Sequence, residues 1–445
     1  MSAIRLAIFV WMLLLATTAH AELRALRSSK AAPDGLRWVV VAEGYRDAER
    51  EVFFADAGLL VDALFVDATY AFLSPHIEVH GLFVASKEAG ADHPSKGIYV
   101  DTAFDGHYEA FGVDRLLVVA NSKVLAAVGA AVPSYDLAIV LVNDGAYGGS
   151  GGPVPVASKH IDSPAILRHE LGHTVAGLAD TYETPYPGYP PGDDEPNVCS
   201  AEHLGALPWA VWVEAGTPIP TDVALATGPY HPIGAYEGAR YLKTGMYRPA
   251  PTCLMRDLES DWCDVCREAM VRSVLSETFA IRAASPAQTS PVVCAASGCP
   301  PFAVDITPHP AATVQWLLND ILVGSGTTLA IGHTASKPAT LRAVASIESK
   351  MLSAPAEASL RRERSWTLVA AGETDVGATP DHDAVDSSWP TLDGGNTNDA
   401  GAQPTPRTPA PGCSARAVPP TPPQTWLVLV AAVAVALHTR RRRYG

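Results

Sequence analysis

The stretch HELGHTVAGLADTY, residues 169–182, contains the residue types from which hydrolytic metal chemistry is built. A helix turns about 100° per residue, so positions four apart share a face one turn apart, and His169 and His173 can aim imidazole nitrogens at one ion. Glu170 sits beside them, where a carboxylate acts as general base without binding the metal. Zinc suits this arrangement because it lowers the pKa of its water toward neutrality and polarises a scissile carbonyl. Two histidines and a glutamate also occur on ordinary amphipathic helices, and the continuation separates the two readings. Gly177 tolerates the left-handed conformation that ends a helix. The chain can then turn back and bring Asp180 in as a third ligand, leaving one position for water. Glu183 is the nearest competitor for that role, and Glu202 a more distant one.

These residues need a scaffold. RWVVVAEGY (37–45), IEVHGLFV (77–84), DRLLVVA (114–120) and DLAIVLVN (136–143) are short apolar runs that predict strands. Residues 49–65 place Val52, Phe53, Ala55, Leu59, Leu60 and Leu64 near helical spacing, and KVLAAVGAAV (123–132) predicts a second helix. Strands interleaved with helices imply an α/β (α+β) domain over 22–280, with a mixed sheet and an active-site helix. After Pro291 the runs 313–320, 327–332, 339–346 and 365–372 predict a small all-β, Ig-like sandwich over 285–372, with Trp316 in its core.

The remaining segments speak to location. Residues 1–21 hold Arg5, an apolar run to Ala16 and Ala19-His20-Ala21, the layout of a signal peptide. Cys199, Cys253, Cys263, Cys266, Cys294 and Cys299 lie in the folded part, which suits disulfides in an oxidising compartment; the C-x-x-C of Cys263 and Cys266 reads as bridged there. Residues 373–423, rich in Thr, Pro, Asp and Gly, predict a solvated stalk. In 424–445 the apolar run Trp426–Leu437 precedes Arg440, Arg441, Arg442 and Arg443, which predicts a short membrane anchor or a cleaved sorting signal. With Cys413 ahead of it, the tail resembles the MYXO-CTERM-type sorting signals of bacterial surface proteins, which implies Cys413 as the processed, lipid-modified residue. A net charge of -15, with no basic stripe outside the tail, argues against a nucleic-acid partner. Asp193, Asp194 and Glu195 form a carboxylate cluster that calcium could use.

HELGHTVAGLADTY is similar to the HExGHxxxGLxDEY stretch of the M64 metallopeptidases, the family named for an immunoglobulin A peptidase, with Thr181 in place of the usual acidic residue. VVVAEGY near 39, VDTAFDGHYEAFGVDRLL from 100, LVNDGAYGGSGG from 141 and GMYRPAPTCLMRDLESDWCDVCREAM from 245 also resemble family blocks, so the likeness covers roughly residues 36–275. It implies a metzincin-like zinc-peptidase fold. The metzincin sequence H-E-x-x-H-x-x-G-x-x-H has its glycine three residues after the second histidine; here glycine comes four after and Asp180 seven after, which calls for a longer last helical turn. LVNDGAYGGSGG stands where metzincins place an exposed edge strand that pairs with substrate backbone, although glycines also mark plain turns. Met255 resembles the methionine of a Met-turn, with Met246 as the alternative. Tyr182 and Tyr247 are both candidate donors to a transition-state oxyanion. Arg248 and Arg256 could position a substrate carboxylate or fix loops.

The sequence therefore points to an exported, surface-retained zinc endopeptidase with a protein or peptide substrate. The rival from another class is a surface adhesion protein whose metallopeptidase-like domain is inactive and whose β-sandwich does the binding. A zinc hydrolase acting on a substrate other than protein is a third possibility.

Overall fold

The computed structural model describes residues 21–185, 192, 195–226, 231–287, 291–332 and 338–371. The chain enters through β1 (Glu22–Arg27) and β2 (Leu36–Glu43), runs along α1 (Arg50–Phe65) and the short α2 (Ala68–Leu73), and returns as β3 (Ile77–Phe83). A long connection leads to α3 (Asn121–Ala131) and β4 (Leu137–Val142), then to β5 (Gly149–Ser150), β6 (Val156–Ala157) and α4 (Ser163–Ala176). These strands form one mixed sheet in the order β1-β3-β2-β4-β6-β5, parallel at its centre and antiparallel at both edges. Successive side chains of a strand point to opposite faces. Trp38, Val40 and Ala42 of β2 accordingly join a core with α1 and α4, while Val39 and Val41 join Val124 and Val128 of α3 on the other face.

Three expectations change here. The buried stripe of α1 is rotated: Phe54, Ala57 and Val61 join Phe53, Leu60 and Leu64 inside, and Val52 and Leu59 face solvent. The run 114–120 is not a strand. Leu116 bridges Gly149, the first residue of the two-residue β5, and Val118 bridges His107; each bridge stays isolated and no ladder forms. The strand that leads into the glycine-rich run is no exposed edge either, because β4 is buried along its length between β2 and β6, and the edge before α4 is the two-residue β5.

Beyond α4, β7 (Cys199–Ser200), β8 (Tyr236–Ala239) and β9 (Leu242–Arg248) make a small antiparallel sheet with β9 in the middle. Helix α5 (Asp264–Thr278) then packs against α4. The rest is mostly strand: β10 (Ile281–Ser285), β11 (Val292–Cys294), β12 (Phe302–Ile306), β13 (Ala312–Leu318), β14 (Ile321–Ser325), β15 (Thr328–Leu329), β16 (Ala339–Ile347) and β17 (Arg362–Ala370), with helix α6 (Ala354–Ser359) between the last two. Among the described residues they form the sheets β10-β12-β15 and β11-β17-β16-β13-β14. Trp316 is buried between them, stacked on Trp366 with ring centroids 5.7 Å apart. This core is continuous with that under α4 and α5. The Ser353 N–H bonds Glu268 of α5, and His309 Nε2 lies 3.0 Å from the Phe72 carbonyl.

Cys294 and Cys299 are bridged. Cys263 and Cys266 are not, contrary to the C-x-x-C expectation; both sulfurs instead approach a third thiol, Cys253. No helix among the described residues is long and apolar enough to cross a membrane. The expected signal segment up to residue 20, the expected stalk 373–423 and the tail 424–445, Cys413 included, lie outside the described residues.

Candidate metal centre

Helix α4 begins with Pro164 in its first turn, where a missing N–H leaves no bond unmade. Leu167 and Leu171 anchor it to the sheet core, which fixes the buried His169 and Glu170 and, one turn on, His173. The helix ends at Gly177, left-handed at φ 62°. The Gly177 N–H reaches the carbonyls of Gly172 and His173, and the Leu178 N–H reaches Gly172 O at 3.1 Å. This last turn is wider than the regular i to i−4 pattern. The extra residue before Asp180 is absorbed there.

The returning chain brings Asp180 to the histidines. Asp180 Oδ1 is 3.0 Å from His169 Nε2 and 3.4 Å from His173 Nε2, and the two Nε2 atoms are 3.2 Å apart. On the far side of each ring, His169 Nδ1 is 2.9 Å from the Leu254 carbonyl and His173 Nδ1 is 2.6 Å from the Leu178 carbonyl. A carbonyl only accepts, so each Nδ1 donates and each neutral ring turns its Nε2 lone pair toward Asp180. Two lone pairs and a carboxylate meeting at one buried point need a cation between them. A tetrahedral ion with bonds of about 2.0–2.1 Å holds its donors about 3.3 Å apart, so these residues fit zinc.

Without an ion, the charge balance shows the same demand. Burial opposes charging His173, but the Asp180 carboxylate outweighs it and pushes the ring up to about 9. The same contest raises His169. Burial also works against ionising Asp180, yet the two histidines hold its carboxyl well below the usual range. Glu170 goes the other way: burial pushes its carboxyl up and the histidines only partly counter that. A carboxylate with raised proton affinity beside a ligand cluster suits a group that must take a proton.

Two glycines show how closely the surroundings fit. A Cβ on Gly172 would meet Met255 Sδ at 2.7 Å and the Trp262 ring at 2.9 Å, so the helix has no side chain where Met255 packs beneath it. Met246 lies elsewhere, with Ala179, Val198 and Ala239. A Cβ on Gly151 would lie 2.0 Å from Glu170 Oε2; the glycine-rich backbone can therefore pass directly over that carboxylate.

The other candidates separate. Tyr182 stands beside His169 with ring centroids 6.1 Å apart, and its buried hydroxyl has no partner among the described residues. Tyr247 packs with Trp209 and Val265, its hydroxyl 3.5 Å from Glu237. Glu183 pairs with Arg256 at 3.1 Å, and Arg256 also donates to the Thr181 carbonyl. Arg248 donates to the carbonyls of Glu237 and Gly238, and burial pushes its pKa down to about 10. Both arginines thus fix loops. Glu202 lies exposed in the short 3₁₀ helix Ala201–Ala206. Glu195 pairs with Arg240, Asp193 and Asp194 lie outside the described residues, and no acidic calcium cluster assembles among those described.

One residue of the site had no counterpart in the sequence reading. The Tyr241 hydroxyl donates to Asp180 Oδ2, the oxygen turned away from the histidines. Arg240 and Tyr241 form the turn of the β8–β9 hairpin at φ 49° and 62°, a conformation normally left to glycine or asparagine. Their side chains account for the exception, since Tyr241 holds Asp180 and Arg240 pairs with Glu195.

A profile of the family described as IgA peptidase M64 matches residues 25–227 and 224–274, more than half of the chain. The chain belongs to the IgA peptidase M64 family. The M64 match runs from β1 into α5 and includes every member of the cluster around Asp180. No curated protein matches the chain. Membership in M64 supports a hydrolase that acts on peptide bonds.

Proposed function

We propose that this M64 protein is a zinc-dependent endopeptidase in which His169, His173 and Asp180 hold the ion and Glu170 is the general base. The observation that carries the proposal is the convergence of two imidazole lone pairs and the Asp180 carboxylate next to a buried glutamate. Zinc bound there supplies an acidified water and an electrophilic pull on the scissile carbonyl. Glu170 takes the proton from the attacking water and delivers it to the leaving amine, a transfer its raised pKa favours. Tyr182 is the oxyanion donor in this reading, supported by its ring lying beside His169 and by its hydroxyl having no partner among the described residues. The Gly151 backbone passes beside Glu170, and the glycine-rich run there is where this reading has an extended peptide lie, which favours a protein substrate.

A metzincin-like architecture, with Met255 beneath α4 as its Met-turn, belongs to the same proposal. So does the layout of a peptidase unit over 22–280 and a β unit over 285–372. Export by residues 1–21 and retention through 373–445, with Cys413 as the processed residue, rest on the sequence pattern. Replacing Glu170 by Gln tests the mechanism directly: zinc content should stay at the wild-type level while kcat falls by at least about 10³-fold, the scale of general-base catalysis. Turnover unchanged in that variant would remove Glu170 from the chemistry.

A further inference from the structure

The catalytic arrangement leaves four unbridged cysteines unused among the described residues, and three of them converge. Cys253 opens the loop that carries Leu254 and Met255, Cys263 is the N-cap of α5, and Cys266 lies in its first turn. The fold brings their sulfurs to one place, all within 4.8 Å of one another. Cys253 and Cys266 are buried, Cys263 is half-buried, and none of the three is bridged. Three converging thiols suit a disulfide poorly, because one bridge leaves the third sulfur stranded. They suit a soft divalent cation well. Zinc–sulfur bonds of about 2.3 Å in a tetrahedral site space the sulfurs about 3.8 Å apart.

The backbone around the thiols is already arranged for negative sulfur. The Cys263 N–H donates to Cys253 Sγ at 3.2 Å, and the Met255 N–H faces the same atom. The Cys266 N–H, one of the donors a helix leaves unpaired in its first turn, faces Cys263 Sγ. The positive end of a 15-residue helix adds to this. Burial opposes ionising Cys253, but the neighbouring thiols and these N–H groups outweigh it and hold the thiol well below its usual range. The bond to Cys253 pushes the Cys263 thiol up, and burial pushes Cys266 up.

We propose that Cys253, Cys263 and Cys266 form a second metal site, a thiolate site for zinc or a similarly soft divalent cation, that ties the Cys253–Met255 loop to α5. Three thiol protons leave to solvent as three metal–sulfur bonds form, and one position of a tetrahedral ion remains for a further donor. The site is positional. Leu254, next to Cys253, supplies the carbonyl that orients His169, and the Met255 carbonyl accepts the Thr181 N–H at 2.9 Å. Fixing Cys253 fixes both contacts.

The test counts metal in the full chain by mass spectrometry for three proteins. Wild type should hold two ions, the double variant His169→Ala with His173→Ala one, and the double variant Cys263→Ser with Cys266→Ser one. In the histidine variant the remaining ion, exchanged for cobalt, should give the near-ultraviolet sulfur-to-cobalt absorption. On unmodified wild type, a thiol reagent should find Cys253, Cys263 and Cys266 protected until a chelator and denaturant release them. The cysteine variant should hold its histidine-site ion about 10- to 100-fold more weakly in chelator competition, the usual scale for lost ligand-orienting contacts, and Cys263→His alone should keep the tight binding. A single ion that disappears with the histidine variant, or a disulfide joining any two of the three cysteines in non-reducing peptide maps, overturns the proposal. A single ion that survives in the histidine variant would support the thiolate site and overturn the catalytic one, so the two readings fail separately.

Discussion

Two pairs of neighbouring histidines in this molecule, each with one ring fully buried and one half-buried, have opposite fates. His169 and His173 are each held through Nδ1 by a backbone carbonyl and turn Nε2 toward Asp180. His76 and His309 meet where the β-rich region packs on α2, with ring centroids 5.3 Å apart and no carboxylate between them. His309 is satisfied by the Phe72 carbonyl and the Ala311 N–H. Neither ring nitrogen of His76 has a partner among the described residues, and burial, helped by His309, pushes it down to about 4. Burial alone turns a histidine into neutral filling. A ligand cluster needs two lone pairs aimed at a point that also carries negative charge.

If the carboxylate makes the difference, removing its charge should move the first pair toward the second. Asp180→Asn should lower zinc affinity at the histidine site by more than about 100-fold and peptidase activity with it, since a first ligand outweighs the roughly 10- to 100-fold effect of an orienting contact. Chelator competition and peptide cleavage read both; wild-type zinc affinity in this variant would leave Asp180 outside the site.

The second pair carries a pH signature. Unfolded, His76 protonates near 6.5, and folded only near 4. Between those values the unfolded chain binds the extra proton. Stability from this group is therefore complete above about pH 6.5 and is lost as pH falls toward 4, by about 3 kcal/mol at most. Urea unfolding of metal-free protein should show that loss, and His76→Phe should flatten it; an unchanged slope would mean that His76 is not buried neutral.

Tyr241→Phe removes the bond to Asp180 Oδ2 while keeping the ring. Zinc affinity should fall by about 10-fold, visible in chelator competition, with the unfolding midpoint nearly unchanged. The smallest effect concerns the floor of the site. Gly172→Ala gains about 1 kcal/mol of helix propensity but forces a methyl against Met255 and Trp262 at a cost of about 1–3 kcal/mol. A net loss of about 1 kcal/mol in thermal unfolding is expected. A stabilised variant would show that Met255 does not press on the helix.

What could be read in the sequence was local. His169, Glu170 and His173 lie within one helical turn, and Gly177 announces the reversal, so spacing and a single glycine carry that part of the geometry. The apolar runs of β2 and β4 were likewise visible, because buried parallel strands are continuous in hydrophobicity. The contacts made across the chain were not. Leu254 reaches His169 through its carbonyl, which leaves no mark on side-chain identity, and Tyr241 reaches Asp180 from a hairpin tip. The run 114–120 had strand composition but meets its neighbours only through the isolated bridges of Leu116 and Val118, and pairing decides strands more than propensity does. C-x-x-C spacing was plain, whereas the third thiol, Cys253, arrives through the fold and changes what the pair can do.

The central claim is that the His169, His173 and Asp180 cluster holds a catalytic zinc. Its most direct test is peptide cleavage by the purified full chain before chelation, after chelation and after zinc is restored, with zinc per chain measured at each step and in the Glu170→Gln variant. The account predicts cleavage that vanishes with the chelator and returns with zinc, and a Glu170→Gln protein that carries wild-type zinc without activity. Cleavage indifferent to the chelator, or a well-folded wild-type chain that binds zinc at neither histidine and cleaves nothing, would contradict it and favour a surface protein that binds through its β region.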